Sequence, residues 1–193
     1  GTALLDGTRR RNGWLAIGIL TLAMIATMRL GWAVYSDGTQ TMALGGWSQG
    51  VGITMRVDMV GMIFAVLCQM VLLGALVYEV VSDVGARVFP SLVLFLAVGL
   101  TGLMFTGDVF NFYVFFEIAM LSSYILVNYG ETPRQFRAAF VFITVNLLGS
   151  VLFLIGIAAI YHTTGFLDMV RIREQMPLVQ ENPAILTATI IFV

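Results

Sequence analysis

A single carboxylate lies near the centre of a long apolar run, and its position defines the chemistry that this sequence could carry out. The run is GDVFNFYVFFEIAMLSSYILVNYG, residues 107–130, and the carboxylate is Glu117. Because about 20 apolar residues cross the hydrocarbon core of a bilayer, a helix over this run places Glu117 near mid-membrane. An ionised side chain at that depth costs on the order of 3 kcal/mol. A carboxyl group retained at such a cost indicates a function.

Proton transfer is the chemistry that suits a carboxyl group at this depth. Desolvation favours the neutral form of a buried carboxyl group, whereas a nearby cation favours the ionised form. Moving or neutralising such a cation makes the group take up or release a proton. We therefore interpret Glu117 as the proton carrier of an intramembrane relay. The alternative is a permanently protonated glutamate that hydrogen-bonds to a neighbouring helix.

Helical periodicity places several side chains on the same face as Glu117. At about 100° per residue they fall within about 40° of its direction; they are Phe110, Tyr113, Leu121, Tyr124 and Asn128. The polar members of this set, Tyr113, Tyr124 and Asn128, are predicted to line the proton path and to face protein or water. Small residues on the opposite side, Ala119, Ser122 and Ser123, favour close packing against another helix.

Asn146, in a later apolar run, is the remaining candidate for lining the proton path. It shares one predicted helix face with Gly149, Ser150 and Gly156. Hydrogen bonding between helices is the favoured interpretation of this face, and a role in transport is the alternative.

The composition indicates an integral membrane protein. Hydrophobic residues make up 59% of the chain and charged residues 11%, whereas a soluble domain carries roughly a quarter charged residues. The net charge of −1 and the absence of long basic runs exclude a typical nucleic-acid-binding surface. A single cysteine, Cys68, excludes an internal disulfide. Neither a metal-ligand spacing nor a phosphate-binding loop is recognisable, so no metal or cofactor is expected.

Five apolar runs are long enough to form membrane-spanning helices. They cover residues 14–35, 59–81, 88–106, 109–129 and 138–161, and a sixth run begins at residue 184 and continues to residue 193. We expect an all-α polytopic bundle forming a single transmembrane domain, in a fragment of a longer protein. Of the arginines in the connections, six lie on the side of the N-terminus and three on the other, which favours a cytoplasmic N-terminus.

The connections contain further local signals. Alternating apolar residues over 51–57 predict a short extramembrane hairpin, and Asp58 and Asp108 are predicted helix N-caps. The segment 166–176 is predicted to form an amphipathic helix at the membrane interface that ends at Pro177.

The string TGDVFNFYVFFE, Thr106 to Glu117, resembles the antiporter-like proton-channel subunits shared by three kinds of complex. These are Mrp-type multisubunit Na+/H+ antiporters, respiratory complex I and membrane-bound hydrogenases, and the resemblance is nearest to the Mrp type. LGGW at residues 44–47 and VDM at residues 57–59 also fit the family pattern. The resemblance covers essentially all 193 residues.

The resemblance implies a bundle of about fourteen helices with inverted repeats of five, of which this chain would form helices two to six and the start of helix seven. It maps the family's essential glutamate onto Glu117, and it implies a partner lysine on helix seven beyond Val193. The expected partners are other membrane subunits, the lipid bilayer, protons and Na+. The expected location is the cytoplasmic membrane of a bacterium or archaeon.

Three functions follow as hypotheses. The first is the proton-translocating subunit of a monovalent cation (Na+)/proton antiporter, a transporter rather than an enzyme in its own right. The second is a proton-pumping, non-redox subunit of complex I or of a membrane-bound hydrogenase. The third is a membrane scaffold in which Glu117 is buried and neutral.

Overall fold

The computed structural model describes residues 2–44, 53–82, 88–127, 133–179 and 182–184; for residues 2–10, 133–134 and 179 it describes the backbone alone. Along the chain these form α1 (Thr2–Asp37), β1 (Gln40–Ala43), β2 (Thr54–Val57), α2 (Met59–Ser82), α3 (Phe89–Phe105), α4 (Val109–Val127), α5 (Pro133–Thr164) and α6 (Met169–Val179). The predicted helical class is confirmed.

A helix lies at each of the five positions where the sequence predicts a membrane span. Within the described ranges, four helices are long and apolar enough to cross a membrane: α1, α2, α4 and α5. Helix α3 has 17 residues, or about 26 Å, close to the roughly 30 Å of a hydrocarbon core. The predicted sixth run lies outside the described residues except for Ala184.

Helices α1 and α5 are longer than the apolar runs that predict them. Helix α5 has 32 residues, or about 48 Å, so its ends project beyond a hydrocarbon layer. Apolar side chains on its flanks are exposed, among them Phe136, Phe140 and Leu148. Such faces require lipid or further protein as neighbours.

Helices α1, α2 and α3 pack around two apolar clusters with a polar group between them. One cluster contains Ala16, Leu20, Leu76, Val93 and Ala97, and the other contains Val34, Val57, Met62, Ala65 and Phe105. Between them Gln69 of α2 donates 3.1 Å hydrogen bonds to Thr27 Oγ1 of α1 and Thr101 Oγ1 of α3. This group links all three helices because each contributes one polar side chain.

Helices α3 and α4 approach each other closely through glycines of α3. A Cβ atom added to Gly99 would lie 2.7 Å from the Ala119 backbone nitrogen, and one added to Gly102 would overlap the Phe115 ring. Ala119 and Ser122 are buried. The predicted close-packing side of α4 is therefore confirmed, and it faces α3.

The predicted hairpin is confirmed by the antiparallel pairing of β1 with β2, in which Gln40 pairs with Val57 and Ala43 with Thr54. We call the end of the molecule that carries this hairpin the hairpin side. The start of α4 also lies there, because the Gly107 N–H donates to Thr54 O at 2.9 Å. So does the start of α6, because the Met169 N–H donates to Gly107 O at 2.9 Å.

The amphipathic segment is helical, but its predicted end at Pro177 is wrong. Helix α6 covers Met169–Val179 with Pro177 inside it. Proline removes one backbone donor, which leaves the carbonyl group four residues earlier, that of Arg173, without its helical partner. The helix tolerates this because Arg173 is solvent-exposed and α6 continues for only two residues after the proline.

Candidate proton-transfer site between α4 and α5

The segment Thr106–Asn111 fixes where α4 begins. Asp108 Oδ1 accepts a 2.8 Å hydrogen bond from the Asn111 N–H, which confirms the predicted N-cap. The Asn111 side chain in turn donates to Thr106 Oγ1 at 3.0 Å. All three side chains are buried. Their polar groups form hydrogen bonds within this segment, where the chain turns from α3 into α4.

Gly107 holds the same turn between the hairpin and α6. Its N–H and C=O bond to Thr54 and Met169, as described above, and the Val109 N–H donates to Leu167 O at 3.0 Å. A Cβ atom at Gly107 would lie 3.0 Å from the Arg56 Cβ, so a larger residue would press on β2. The Gly107–Asp108 pair therefore anchors the first turn of α4 to both of its neighbours on the hairpin side.

Burial raises the pKa of the Asp108 carboxyl group above its ordinary value, because the ionised form loses hydration. Hydrogen bonds from backbone N–H groups oppose this rise, and the charge of Asp168, paired with Asp108 across an antiparallel bridge, adds to it. Asp108 is thus a structural carboxylate whose stability contribution depends on pH.

Glu117 lies about two turns further along α4, at the interface with α5. Its carboxylate Oε1 accepts a hydrogen bond from Ser150 Oγ of α5. Ser150 Oγ also lies 3.2 Å from the Tyr113 hydroxyl oxygen, one turn before Glu117 on α4. Glu117 and Tyr113 are half-buried, and Ser150 is 6% exposed. Two side chains of α4 therefore converge on one buried hydroxyl group of α5.

Aromatic contacts fix the two helices on either side of this group. The Phe153 ring of α5 stacks on Tyr113 with centroids 6.2 Å apart, and it lies 6.0 Å from the Phe112 ring. On the other side of Glu117, Tyr124 meets Phe142 edge to face at 5.2 Å. Such pairs stabilise the packing by about 0.5–1.5 kcal/mol each.

A cavity of about 570 Å³ opens next to Glu117, on the side away from the hairpin. Its walls come from α4 and α5 and include Glu117, Leu121, Tyr124, Phe136, Phe140 and Leu147. Most of these side chains are apolar, and Glu117 is the charged group among them. The carboxylate thus lies between a pair of hydroxyl groups on one side and an apolar cavity on the other.

The other residues predicted to line the proton path differ in their positions and contacts. Tyr113 and Tyr124 lie on the Glu117 side of α4, as described. The Asn146 side chain donates at 2.9 Å to Phe142 O of its own helix, so the expected bond to another helix is not formed by its amide nitrogen. Gly149 faces open space, which contradicts its predicted close packing, whereas Ser150 and Gly156 are buried. Asn128 lies outside the described residues.

Ser150 is the site residue whose role sequence reasoning missed. The sequence groups it with a packing face because serine is common where membrane helices approach each other. Its contact with Glu117 depends on the register of α5 against α4, which helical periodicity within either run does not determine. The clue available in the sequence is that a small polar residue lies deep in an otherwise apolar run.

Potential metal ligands do not gather at this site. Among the described residues, no group of three or more His, Cys, Asp or Glu side chains is close enough together to hold a metal ion. The neighbours that the structure gives Glu117 are the Ser150 hydroxyl group and the mainly apolar walls of the cavity.

Comparisons with known proteins agree with this architecture. Residues 106–193 match the protein family described as NADH:quinone oxidoreductase/Mrp antiporter, TM. A curated relative, the putative antiporter subunit mnhD2 of Staphylococcus aureus, is 31% identical over 191 residues, which are 97% of this chain and 38% of the relative. The chain therefore spans a little over a third of the length of the curated relatives it matches.

Solved structures give the same result for the fold. A chain of the Mrp complex from Dietzia superposes with a TM-score of 0.81 at 27% identity, over 98% of this chain and 36% of that chain. A chain of an archaeal membrane-bound sulfane sulfur reductase gives 0.78 at 28% identity, over 93% of this chain and 37% of that chain. A chain of respiratory complex I from Thermus thermophilus, at 23% identity and a TM-score of 0.70, shares the fold. This chain is a multi-pass membrane protein, its residues 106–193 match the NADH:quinone oxidoreductase/Mrp antiporter family, and nearly its whole length shares the fold of antiporter-like membrane subunits.

Proposed function

We propose that this chain is part of the proton-translocating subunit of a multisubunit antiporter that exchanges a monovalent cation, Na+, for protons. Glu117 is the proton carrier. The observation that carries this proposal is the position of its carboxylate, at the α4–α5 interface between the Ser150 hydroxyl group and a cavity. A carboxyl group at mid-depth with a polar partner on one side and an open space on the other can exchange its proton in two directions.

The remaining polar residues have supporting roles in this proposal. Tyr113 and Tyr124 line the proton path on either side of Glu117. Asn128, which lies outside the described residues, is a further lining residue by its position in the sequence. Asn146 offers its amide oxygen to water, since its amide nitrogen is the group bonded to Phe142. A cation supplied by another part of the protein sets the charge of Glu117, because the chain contains no lysine and its arginines lie in the connections or towards the ends of the predicted spans.

The proposal includes other membrane subunits as partners. The similar solved structures are those of an Mrp complex and of a respiratory membrane complex. The exposed apolar faces of α1 and α5 require neighbours in the membrane. We place the assembly in the cytoplasmic membrane of a bacterium or archaeon, because a Na+/proton antiporter needs an energised membrane on which to act.

The test is the substitution Glu117→Gln in the complete complex. Everted vesicles are energised, and the dissipation of the pH gradient on addition of Na+ is measured. We expect exchange to be lost with normal assembly, because glutamine keeps the shape and the hydrogen bond of Glu117 but carries no exchangeable acidic proton. Glu174→Gln is the matched control, since Glu174 is an exposed carboxylate on α6. Unchanged exchange in Glu117→Gln would make Glu117 structural and contradict the proposal.

The second candidate is a proton-pumping subunit of a redox-driven complex. The sulfane sulfur reductase chain has nearly the same TM-score and identity to this chain as the Mrp chain has. This similarity supports the second candidate. The purified complex, reconstituted into vesicles that contain no other proton pump, separates the two. If the wild-type complex shows no Na+-dependent exchange but acidifies the vesicle interior when an electron donor is oxidised, the redox-driven function is correct.

A further inference from the structure

We propose that Ser150 and Tyr113 form a two-hydroxyl relay that carries protons between Glu117 and the hairpin side of the membrane. This inference rests on the proposed function, because it assigns one branch of the path that Glu117 serves. It gives Ser150 a function in proton transfer, and it gives Tyr113 a defined place in the order of transfer.

The hydrogen bonding of Ser150 differs from that of other hydroxyl residues in the same helices. Ser122, Ser123 and Thr144 each donate to the carbonyl oxygen four residues earlier in their own helix, which is the common arrangement. Ser150 donates instead across the interface to Glu117. Ser150 is also buried, whereas the other residues between 140 and 155 of α5 are half-buried or exposed. Its side chain is thus directed at α4.

Proton counting fixes the order of the three groups. A serine hydroxyl group has one proton to donate and can accept in return. When Ser150 donates to Glu117, the hydrogen bond between Ser150 and Tyr113, 3.2 Å long, has the tyrosine as donor. The three groups then form a chain in which each hydroxyl group points towards the carboxylate.

Proton transfer along these three groups conserves the number of protons. A proton arriving at the Tyr113 oxygen displaces the Tyr113 proton to Ser150, and Ser150 passes its own proton to the Glu117 carboxylate. Both hydroxyl groups end neutral, Glu117 ends protonated, and rotation of the two hydroxyl groups restores the starting arrangement. Release towards the hairpin side is the same sequence in reverse.

The two hydroxyl groups and the cavity approach Glu117 from opposite sides. Tyr113 precedes Glu117 on α4 and lies nearer to the hairpin side, whereas the cavity is lined by residues that follow Glu117, such as Leu121 and Tyr124. The Phe153 ring stacks on Tyr113 with planes 16° apart and holds its hydroxyl group at Ser150. The relay and the cavity therefore supply two separate routes to one carboxylate.

Few titratable groups of the described helices lie near these three side chains. Helix α3, which packs on the other face of α4, has none in its sequence. Helix α4 contributes Tyr113 and Tyr124, and the titratable groups of α5 are near its two ends: Arg134, Arg137, Tyr161 and His162. Among the acidic groups of these helices, Glu117 is therefore the one that loses a direct hydrogen bond when the Ser150 hydroxyl group is removed.

The experiment compares Ser150→Ala and Tyr113→Phe with wild type in the complete complex. Ser123→Ala is the matched control, because its hydroxyl group bonds to Ala119 O within α4. Na+-dependent exchange is measured in everted vesicles as a function of pH. Difference infrared spectra report the carboxyl stretching band of protonated Glu117, identified by its loss in Glu117→Gln.

We expect Ser150→Ala to slow exchange by about tenfold. A positioned proton-transfer group usually contributes about a hundredfold or more, and water entering the space left by the hydroxyl group replaces part of that effect. We also expect this variant to shift the pH at half-maximal rate and to move the Glu117 infrared band. Tyr113→Phe should slow exchange without moving that band, because it leaves the Ser150 bond intact. Ser123→Ala should match wild type.

Wild-type rates, pH profile and infrared band in Ser150→Ala would overturn the relay. If Ser150→Ala does not assemble, Tyr113→Phe decides the question, since it removes one oxygen and keeps the ring packing; a wild-type rate in that variant would also overturn the relay. Loss of exchange in Glu117→Gln with full activity in both hydroxyl variants would leave the proposed function standing and reject the relay alone.

Discussion

At the residue scale, the two carboxylates of the α4 region are held in different ways. Asp108 accepts a hydrogen bond from a backbone N–H at the start of the helix, and its partner cannot move without unwinding that helix. Glu117 bonds to a hydroxyl group, which can rotate, and its other side faces a cavity. The first arrangement suits a structural carboxylate and the second suits one that changes its protonation state.

Asp108→Asn provides a test of the structural assignment through pH. Because the folded-state pKa of Asp108 is raised, the folded protein binds this proton more tightly than the unfolded chain. The resulting stabilisation is fully present below the ordinary aspartate pKa of about 4 and is lost as pH rises through the folded-state pKa. Asparagine caps helices as well as aspartate does. We therefore expect the thermal unfolding midpoint of the detergent-solubilised complex to depend less on pH in Asp108→Asn.

Asp108→Ala is the companion variant for this prediction. It removes the cap as well as the charge, so it should be less stable than Asp108→Asn by about 1 kcal/mol of unfolding free energy at every pH. An Asp108→Asn complex with the same pH dependence as wild type would show that the slope originates elsewhere.

At the element scale, the α3–α4 contact determines where Glu117 stands. Gly99 of α3 meets the backbone of Ala119, two residues from Glu117. We expect Gly99→Ala to push the helices apart, to lower the unfolding free energy by about 1–3 kcal/mol and to reduce exchange activity. Gly149→Ala, on α5, is the control because a Cβ atom there meets no atom within 4 Å. Equal stability of the two variants would contradict this account of the packing.

The polar group that joins α1, α2 and α3 gives a second prediction at this scale. Gln69 is 2% exposed, and its Oε1 atom has no hydrogen-bond partner among the described residues. Hydrogen bonds between membrane helices contribute on average about 0.6 kcal/mol, whereas an unpaired buried polar atom costs about 1–3 kcal/mol. We expect Gln69→Leu to unfold at a temperature no lower than wild type, and Gln69→Ala to be destabilised by the space it leaves. A large loss of stability in Gln69→Leu would contradict this prediction and show that the hydrogen bonds to Thr27 and Thr101 outweigh the cost of the unpaired Oε1 atom.

At the scale of the whole molecule, the sequence could predict features that depend on neighbouring residues or on helical periodicity, but not contacts that depend on how two helices are placed against each other. The apolar runs, the Asp108 cap and the close-packing side of α4 are local or periodic properties, and the structure has a helix, a cap and a glycine contact at those places. The predicted end of α6 is wrong because an exposed last turn accommodates Pro177. The Ser150–Glu117 contact escapes sequence reasoning because it depends on how α4 and α5 are placed against each other, which neither run encodes alone.

The orientation of the chain in the membrane is the last prediction. Arginine counts place the N-terminus in the cytoplasm, which puts the hairpin side outside and the cavity beside Glu117 towards the cytoplasm. The native cysteines of the complete protein, Cys68 among them, are replaced by serine. One new cysteine is then introduced as Asp37→Cys, next to the hairpin, or as Gln135→Cys, at the start of α5. Both positions are exposed. In intact cells we expect a membrane-impermeant maleimide to label the first variant, and in everted vesicles the second. The reverse labelling pattern would show the opposite orientation in the membrane, with the hairpin side in the cytoplasm. The Ser150–Tyr113 relay would then serve the cytoplasmic side.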